Sequence, residues 1–162
     1  MKSIKLRVCR IGDAKFILDI YNFATKSGFF LSKKTVKFQD HFNWLKGKLN
    51  SNNAKIYIAL IGGRKIGYIR FQKVIKKNYE VSIGNKSNFY GKGLGTVILG
   101  LAIKKFIKSY KPKKIFSTIK KSNKRSEKCF LNNQFIKIKK NKKKASTKIN
   151  LKNVNYFEYK FN

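Results

Sequence analysis

The sequence predicts one domain of mixed α/β class, with about seven strands and about four helices. Three observations lead to this prediction. Apolar and polar residues alternate in several short segments, which is typical of strands with one buried face. In other segments apolar residues recur at helical spacing. A glycine-rich turn over residues 90–95 joins a strand-like segment directly to a helix-like one.

The N-terminal part begins with a predicted strand over residues 4–10, where apolar and basic residues alternate. Asp13 is a candidate N-cap for a helix over residues 14–25, and a shorter helix is predicted over residues 39–49. The segment between the two helices, residues 27–36, is expected to be a loop.

The middle of the chain is predicted to form three antiparallel strands. The first two, residues 55–61 and 64–74, are joined by Gly62 and Gly63, which tolerate the positive φ of a tight hairpin turn. The third covers residues 78–85 and leads into the glycine-rich turn.

The C-terminal part is predicted to add two helices and three strands. In order they are a helix from the glycine turn to Pro112, a strand over 114–119, a helix over 122–132, and strands over 135–138 and 154–161. The connection over residues 137–148 is rich in lysine and is predicted to be a solvated loop.

The composition is strongly basic, with 40 Lys and Arg, 6 Asp and Glu, and a net charge of +34. Only five of the basic residues are arginines. Proteins that recognise phosphates or bases tend to use arginine, because its planar guanidinium binds them bidentately. An excess of lysine over arginine is therefore more typical of AT-rich coding bias than of nucleic-acid recognition. Binding of a nucleic acid by the lysines of residues 137–144 stays open as an alternative.

The cysteines, the histidine and the apolar segments indicate which sites and which cellular location to expect. Cys9 and Cys129 are far apart and His41 is the single histidine, so neither a metal site nor a disulfide is expected. Residues 1–16 contain no apolar signal core, and the longest apolar stretch, residues 93–103, is about half a membrane span. We expect a soluble cytoplasmic protein without membrane insertion, as a monomer or homodimer.

The most informative motif is the turn Tyr90-Gly91-Lys92-Gly93-Leu94-Gly95-Thr96 between a strand and a helix. Glycines let the backbone bring several N–H groups to one point, and the helix that follows adds the positive end of its dipole. This arrangement predicts a seat for a phosphate or pyrophosphate, with an ordinary strand-to-helix turn as the structural alternative. The turn matches neither a P-loop nor a dinucleotide-binding motif.

The element order and two motifs resemble the GNAT acetyltransferase superfamily. The glycine turn is similar to that family's pyrophosphate loop, which reads Arg or Gln, two residues, Gly, one residue, and Gly or Ala. Gly93 and Gly95 occupy the fixed glycine places, and Tyr90 stands in the Arg/Gln place. Asn123 opens a predicted helix that resembles the family's second signature.

This resemblance implies transfer of acetyl from acetyl-CoA, the acetyl donor, to a primary amine. It also implies a mainly antiparallel sheet whose fourth and fifth strands splay apart to admit the pantetheine arm. Strand backbone would pair with the pantetheine amides, and the turn N–H groups would hold the pyrophosphate. The expected cofactor-binding residues are Ile83, Gly84, Asn85, Tyr90, Gly91, Lys92, Gly93, Leu94, Gly95, Thr96, Asn123 and Ser126.

An amine acceptor must lose a proton, and six carboxylates are few enough to weigh singly. Glu80 lies in the strand before the glycine turn, where the superfamily often places a base, and pairing with a lysine is its structural alternative. Asp13 and Asp40 are expected to cap helices. Phe130, at the place of the family's tyrosine acid, cannot donate a proton; Ser126 or an ordered water is the substitute.

His41 and Trp44 share one face of the second predicted helix. They are candidates for binding the acceptor, with His41 as the other possible base; alternatively Trp44 packs in the core and His41 is exposed. Residues 40–45, with Arg70 and Glu80, resemble a GNAT branch that acetylates nucleotide-linked amino sugars. That resemblance implies that Arg70 reaches phosphate or hydroxyl groups of the acceptor.

Three functions follow from these observations. The first is a small-molecule N-acetyltransferase acting on an amino sugar or sugar nucleotide. The second is a protein or peptide N-acetyltransferase of ribosomal type, which a net charge of +34 disfavours because basic acceptors are repelled. The third is a non-catalytic protein that binds polyanions. Binding of acetyl-CoA at physiological salt separates the first two from the third.

Overall fold

The computed structural model of the protein describes residues 3–139 and 153–161. Four α-helices and seven strands occur in these ranges, with short 3-10 turns at Ile11–Asp13 and Ser87–Phe89. In chain order the elements are β1 (Ile4–Val8), α1 (Ala14–Lys26), α2 (Phe38–Leu49), β2 (Ala54–Ile61), β3 (Arg64–Ile75), β4 (Asn78–Asn85), α3 (Leu94–Tyr110), β5 (Lys114–Lys120), α4 (Lys124–Leu131), β6 (Phe135–Ile138) and β7 (Val154–Tyr159).

The seven strands form one sheet in the order β1-β2-β3-β4-β5-β7-β6. Every neighbouring pair is antiparallel except β4 and β5, which are parallel. The predicted mixed fold, with a mainly antiparallel seven-stranded sheet and four helices, is therefore confirmed. Most of the predicted lysine-rich connection over residues 137–148 lies outside the described residues.

The helices cover both faces of the sheet because alternate strand residues are apolar on each side. On one face α3 packs against β3, where the rings of Phe71 and Phe106 stack with centroids 3.9 Å apart. On the other face α1 and α2 bury Ile17 and Leu45 against Tyr68 of β3. This second layer forms one wall of the site described below.

Asp13 differs from its predicted role as a helix cap. Its carboxylate makes no side-chain cap bond to α1. Instead it accepts hydrogen bonds from Arg7 at 2.7 and 2.8 Å, from Lys65 at 3.0 Å and from the Arg10 N–H at 2.9 Å. These contacts draw the chain into the 3-10 turn, so β1 ends at Val8 and not at residue 10.

No helix within the described ranges is long and apolar enough to span a membrane. The cytoplasmic location remains a prediction from the sequence.

Candidate active site

The site begins where two neighbouring strands separate. The parallel ladder between β4 and β5 joins Asn78 to Lys114, Tyr79 to Ile115 and Glu80 to Phe116, and goes no further. Beyond Glu80, β4 still pairs with β3 as far as Asn85 but has no strand on its β5 side. The predicted splay of the fourth and fifth strands is therefore present, with Glu80 at its apex.

A cleft of about 540 Å³ lies at the open end of the splay, between the end of β4, the glycine turn and α4. It is lined by all the predicted cofactor-binding residues except Lys92, namely Ile83, Gly84, Asn85, Tyr90, Gly91, Gly93, Leu94, Gly95, Thr96, Asn123 and Ser126. Lys92 is not part of the lining, although its ammonium lies 5.8 Å from the centroid of the ring of Phe89, which is. The residues chosen from two separate sequence motifs thus meet around one cavity.

The glycine turn adopts a conformation that few other residues tolerate. Gly91 and Gly93 have φ of 76° and 71°, in the left-handed region, and Gly93 occupies the N-cap position of α3. No side chain caps this helix, so donors of its first turn remain available to a ligand. A Cβ on Gly95 would lie 3.0 Å from the Asn85 amide nitrogen, so this glycine permits close packing of α3 on β4.

The loop between α1 and α2 reaches across the splay. Asn123 caps α4 by accepting the Ser126 N–H at 3.1 Å, and its amide donates to the Phe29 carbonyl at 3.2 Å. Lys120 of β5 donates to the Gly28 carbonyl at 3.0 Å. Sequence reasoning missed this loop as a part of the site; two adjacent aromatic residues in a predicted loop were the available signal.

A second cavity, of about 290 Å³, adjoins the first and lies between the separated strands, with residues 80–83 of β4 and 117–120 of β5 in its lining. The two share a wall made of Phe29, Phe30, Ile83, Asn123 and Ser126. The second cavity also contains two predicted acceptor-side residues together with two tyrosines, namely Arg70, Glu80, Tyr21 and Tyr68. An acceptor bound there would lie beside a donor bound in the cleft.

Two charged side chains in this second cavity lack an ion-pair or hydrogen-bond partner among the described residues. Among the described residues, no lysine lies within ion-pair distance of Glu80, so the expected structural alternative for this carboxylate is wrong. The Nε of Arg70 is buried without a hydrogen-bond partner, and its guanidinium carbon lies 5.5 Å from the centroid of the Trp44 ring. Both groups are available to a ligand.

His41 does not join this pair. The structural alternative with an exposed His41 is wrong, because only 6% of His41 is exposed and its ring lies 5.2 Å, centroid to centroid, from that of Trp44. Burial lowers the pKa of His41. Neither His41 nor Trp44 lines the cleft or the second cavity; Trp44 lines a separate surface depression with Lys48. Asp40 sits in the first turn of α2, whose N-cap is Lys37.

The charged side chains that line the cleft are all basic: Lys124, Arg125 and Lys128. No carboxylate occurs in the lining within the described residues. The Arg125 guanidinium lies 3.8 Å from the centroid of the Tyr90 ring. Burial raises the pKa of Tyr90, and Arg125 partly opposes that change. The cleft is therefore suited to an anionic ligand.

Comparison with known proteins decides the family. The family model described as "Acetyltransferase (GNAT) family" matches residues 17–134, which include the splay, the glycine turn and α4.

The chain belongs to the GNAT acetyltransferase family.

Solved structures agree with this assignment at the level of the fold. The spermidine N-acetyltransferase of Vibrio cholerae, in complex with CoA and spermine, has a TM-score of 0.81 and 16% identity, over 96% of this chain and 94% of that one. A domain from Methanocaldococcus jannaschii has a TM-score of 0.79 and 23% identity, over 99% of this chain and 100% of that one. The N-acetyltransferase PseH of Campylobacter jejuni has a TM-score of 0.71 and 20% identity, over 98% of this chain and 99% of that one. A search of curated protein sequences finds no match.

GNAT acetyltransferases take acetyl-CoA as their acetyl donor, and this chain is accordingly an acetyl-CoA-dependent acyltransferase. The cleft fits that donor. Its turn carries left-handed glycines and an uncapped helix start, where backbone donors suit a pyrophosphate. Its charged lining is basic, and strand β4 offers backbone without a β5 partner along the splay.

Proposed function

We propose that the chain, acting as one acetyltransferase domain, acetylates a primary amine of an amino sugar or sugar nucleotide, with Glu80 as the general base. The observation that carries this proposal is the position of Glu80. Its carboxylate has no ion-pair partner among the described residues and lies at the apex of the splay, in a cavity that shares a wall with the donor cleft.

The size and charge of the second cavity support a small acceptor. Its volume, about 290 Å³, is just below the range of small-molecule sites, which begins at about 300 Å³. Arg70 and Lys120 line it, and Glu80 is the one carboxylate in its described lining. Arg70 would bind a phosphate or hydroxyl group of the acceptor, since a guanidinium recognises phosphate bidentately.

The donor would be held by backbone and by α4. In the proposed arrangement, Ile83, Gly84 and Asn85 offer strand backbone to the pantetheine amides, and the turn donates N–H groups to the pyrophosphate. Asn123 lies in the shared wall, where the pantetheine arm would pass.

The chemistry of the proposal needs one proton acceptor. Bound acetyl-CoA supplies the acetyl group as a thioester, whose thiolate is a fair leaving group. Glu80, directly or through a water, accepts a proton from the acceptor's ammonium and so frees its lone pair for direct attack. Phe29 and Phe30 lie in the wall that the two cavities share. Phe130 is only 1% exposed and offers no proton, so Ser126 in the shared wall or an ordered water would protonate the departing thiolate.

Replacing Glu80 tests the base. Glu80→Gln should lower kcat at neutral pH by about a hundredfold or more and recover at high pH, where the amine deprotonates without help. The matched control is Asp19→Asn, which removes an exposed carboxylate paired with Lys15 and should keep the wild-type profile. A Glu80→Gln profile that follows wild type would contradict the assignment of Glu80 as the base.

A panel of amines with a thiol-release readout tests the acceptor. Nucleotide-linked amino sugars, free amino sugars, spermidine and a short peptide with a free N-terminus sample the competing classes. We expect Arg70→Ala to raise KM about tenfold for acceptors with phosphate and little for those without it. Preference for the peptide would contradict the amino-sugar proposal and favour a protein substrate.

A further inference from the structure

One arginine of the cleft has no role in the functions described so far. Arg125 lies in the first turn of α4, and its guanidinium carbon is 3.8 Å from the centroid of the Tyr90 ring and 4.6 Å from that of Phe29. A cation at such distances from aromatic rings is attracted to them and loses part of its conformational freedom. The two rings thus hold the Arg125 side chain in one region of the cleft.

The charge of Arg125 is not neutralised locally. It forms neither a hydrogen bond nor an ion pair with any residue that the structure describes. The described lining of the cleft contains no carboxylate, and Arg125 itself is exposed. Its five N–H donors are therefore open to an anion that enters the cleft.

The location of Arg125 beside the glycine turn indicates which anionic group it would contact. Tyr90, whose ring it covers, is the first residue of the glycine turn, and both line the cleft with Gly91, Gly93 and Gly95. The pyrophosphate is the anionic group that the turn is suited to receive. Tyr90 is uncharged, so the residue that begins this turn cannot neutralise a phosphate by itself.

We propose that Arg125 binds the pyrophosphate of acetyl-CoA, and that the Tyr90 ring positions the guanidinium for this contact. The side-chain cation that the turn lacks at position 90 is supplied by another element, α4. Tyr90 is then a positioning residue, and the pair replaces the single Arg or Gln of the loop that this turn resembles. The inference uses the acetyl-CoA dependence of the family and is independent of the acceptor.

Binding of two ligands to the purified protein tests the contact with Arg125. We would measure the Kd of CoA and of 3′-dephospho-CoA by calorimetry for wild type, Arg125→Ala and Arg125→Lys. Arg125→Ala should raise both Kd values about tenfold or more, because a charge-assisted hydrogen bond to the pyrophosphate is lost from both ligands. Arg125→Lys should recover part of the loss.

Lys105→Ala is the matched control, since it removes one exposed positive charge from the surface of α3, outside the cleft lining. Its Kd values should stay within about twofold of wild type. A penalty for Arg125→Ala that disappears with 3′-dephospho-CoA would assign the residue to the 3′-phosphate and overturn the proposal. An unchanged Kd in a folded Arg125→Ala protein would also overturn it, while binding by wild type would leave the family function intact.

The role of Tyr90 is tested by coupling. Tyr90→Leu should weaken CoA binding in the wild-type background and add little when Arg125 is already alanine, because the ring acts through the guanidinium. Tyr90→Phe keeps the ring and should bind CoA as wild type does. Independent, additive losses for Tyr90→Leu and Arg125→Ala would overturn the positioning role.

Discussion

A buried carboxylate at the start of α1 illustrates what single residues do in this fold. Burial by itself would raise the pKa of Asp13, but hydrogen bonds from Arg7, Lys65 and the Arg10 N–H outweigh it and hold that pKa well below the usual range. A depressed pKa means that the folded state favours the ionised form. The stabilisation is therefore complete above about pH 4 and is lost as the pH falls toward the folded-state pKa.

We expect Asp13→Asn to lower the free energy of unfolding by about 2–4 kcal/mol at neutral pH, because three donors lose a charged partner in a site where the carboxylate is 3% exposed. Its stability should also vary less with acid pH than that of wild type. Asp19→Asn, which removes an exposed pair with Lys15, should cost less than about 0.5 kcal/mol. Denaturant titrations at several pH values provide the comparison, and equal losses for both variants would contradict this account.

At the residue scale, local sequence patterns predicted where a residue lies along a helix or strand better than which residues it contacts. Asp13 was expected to cap α1 because capping is readable from neighbouring residues, whereas its partner Lys65 arrives through the β1–β2–β3 sheet. The burial of His41 depends on how α2 rests on the sheet, which helical spacing alone does not decide. The contact between Arg125 and Tyr90 joins elements that are far apart in the sequence, so no local signal predicts it.

At the scale of elements, the glycine turn makes the sharpest prediction. A Cβ on Gly93 would meet no protein atom within 4 Å, but a φ of 71° is strongly unfavourable for a branched side chain. Gly93→Val should therefore leave the core packing intact while distorting the turn, and raise the Kd of acetyl-CoA at least about tenfold. Thermal melts beside calorimetry separate loss of the turn from loss of the fold.

The matched control is Gly47→Val in α2, where an added Cβ also meets nothing within 4 Å and the backbone is helical. Stability should change little, since valine is no worse than glycine in a helix, and acetyl-CoA should bind as it does to wild type. Equal affinity of the Gly93 and Gly47 variants for acetyl-CoA would show that the turn is not the donor seat.

Elements were predictable from the sequence to the extent that their signals are local. The hairpin glycines, the alternation in β4 and the Gly-rich start of α3 each state a backbone requirement in a few residues, and the observed bounds agree closely. The loop between α1 and α2 carries no such pattern. Its place over the splay depends on hydrogen bonds from Lys120 and Asn123, which are distant in sequence.

At the scale of the whole molecule, the net charge of +34 explains general attraction of polyanions but not selective binding in the cleft. A positive field attracts any polyanion, and the interaction weakens steeply as salt is added. A cleft built from oriented backbone donors and a held arginine is more selective, because its hydrogen bonds require one ligand shape. Salt therefore distinguishes the general field from the site.

The most direct test of the account is a calorimetric titration of the protein with acetyl-CoA at physiological salt, beside a polyanion such as heparin. We predict saturable binding of one acetyl-CoA per chain that persists at this salt and is lost in Gly93→Val, whereas heparin binds both proteins alike. Absence of acetyl-CoA binding, or acetyl-CoA binding that Gly93→Val leaves unchanged, would contradict the assignment of the cleft at the glycine turn as the donor site.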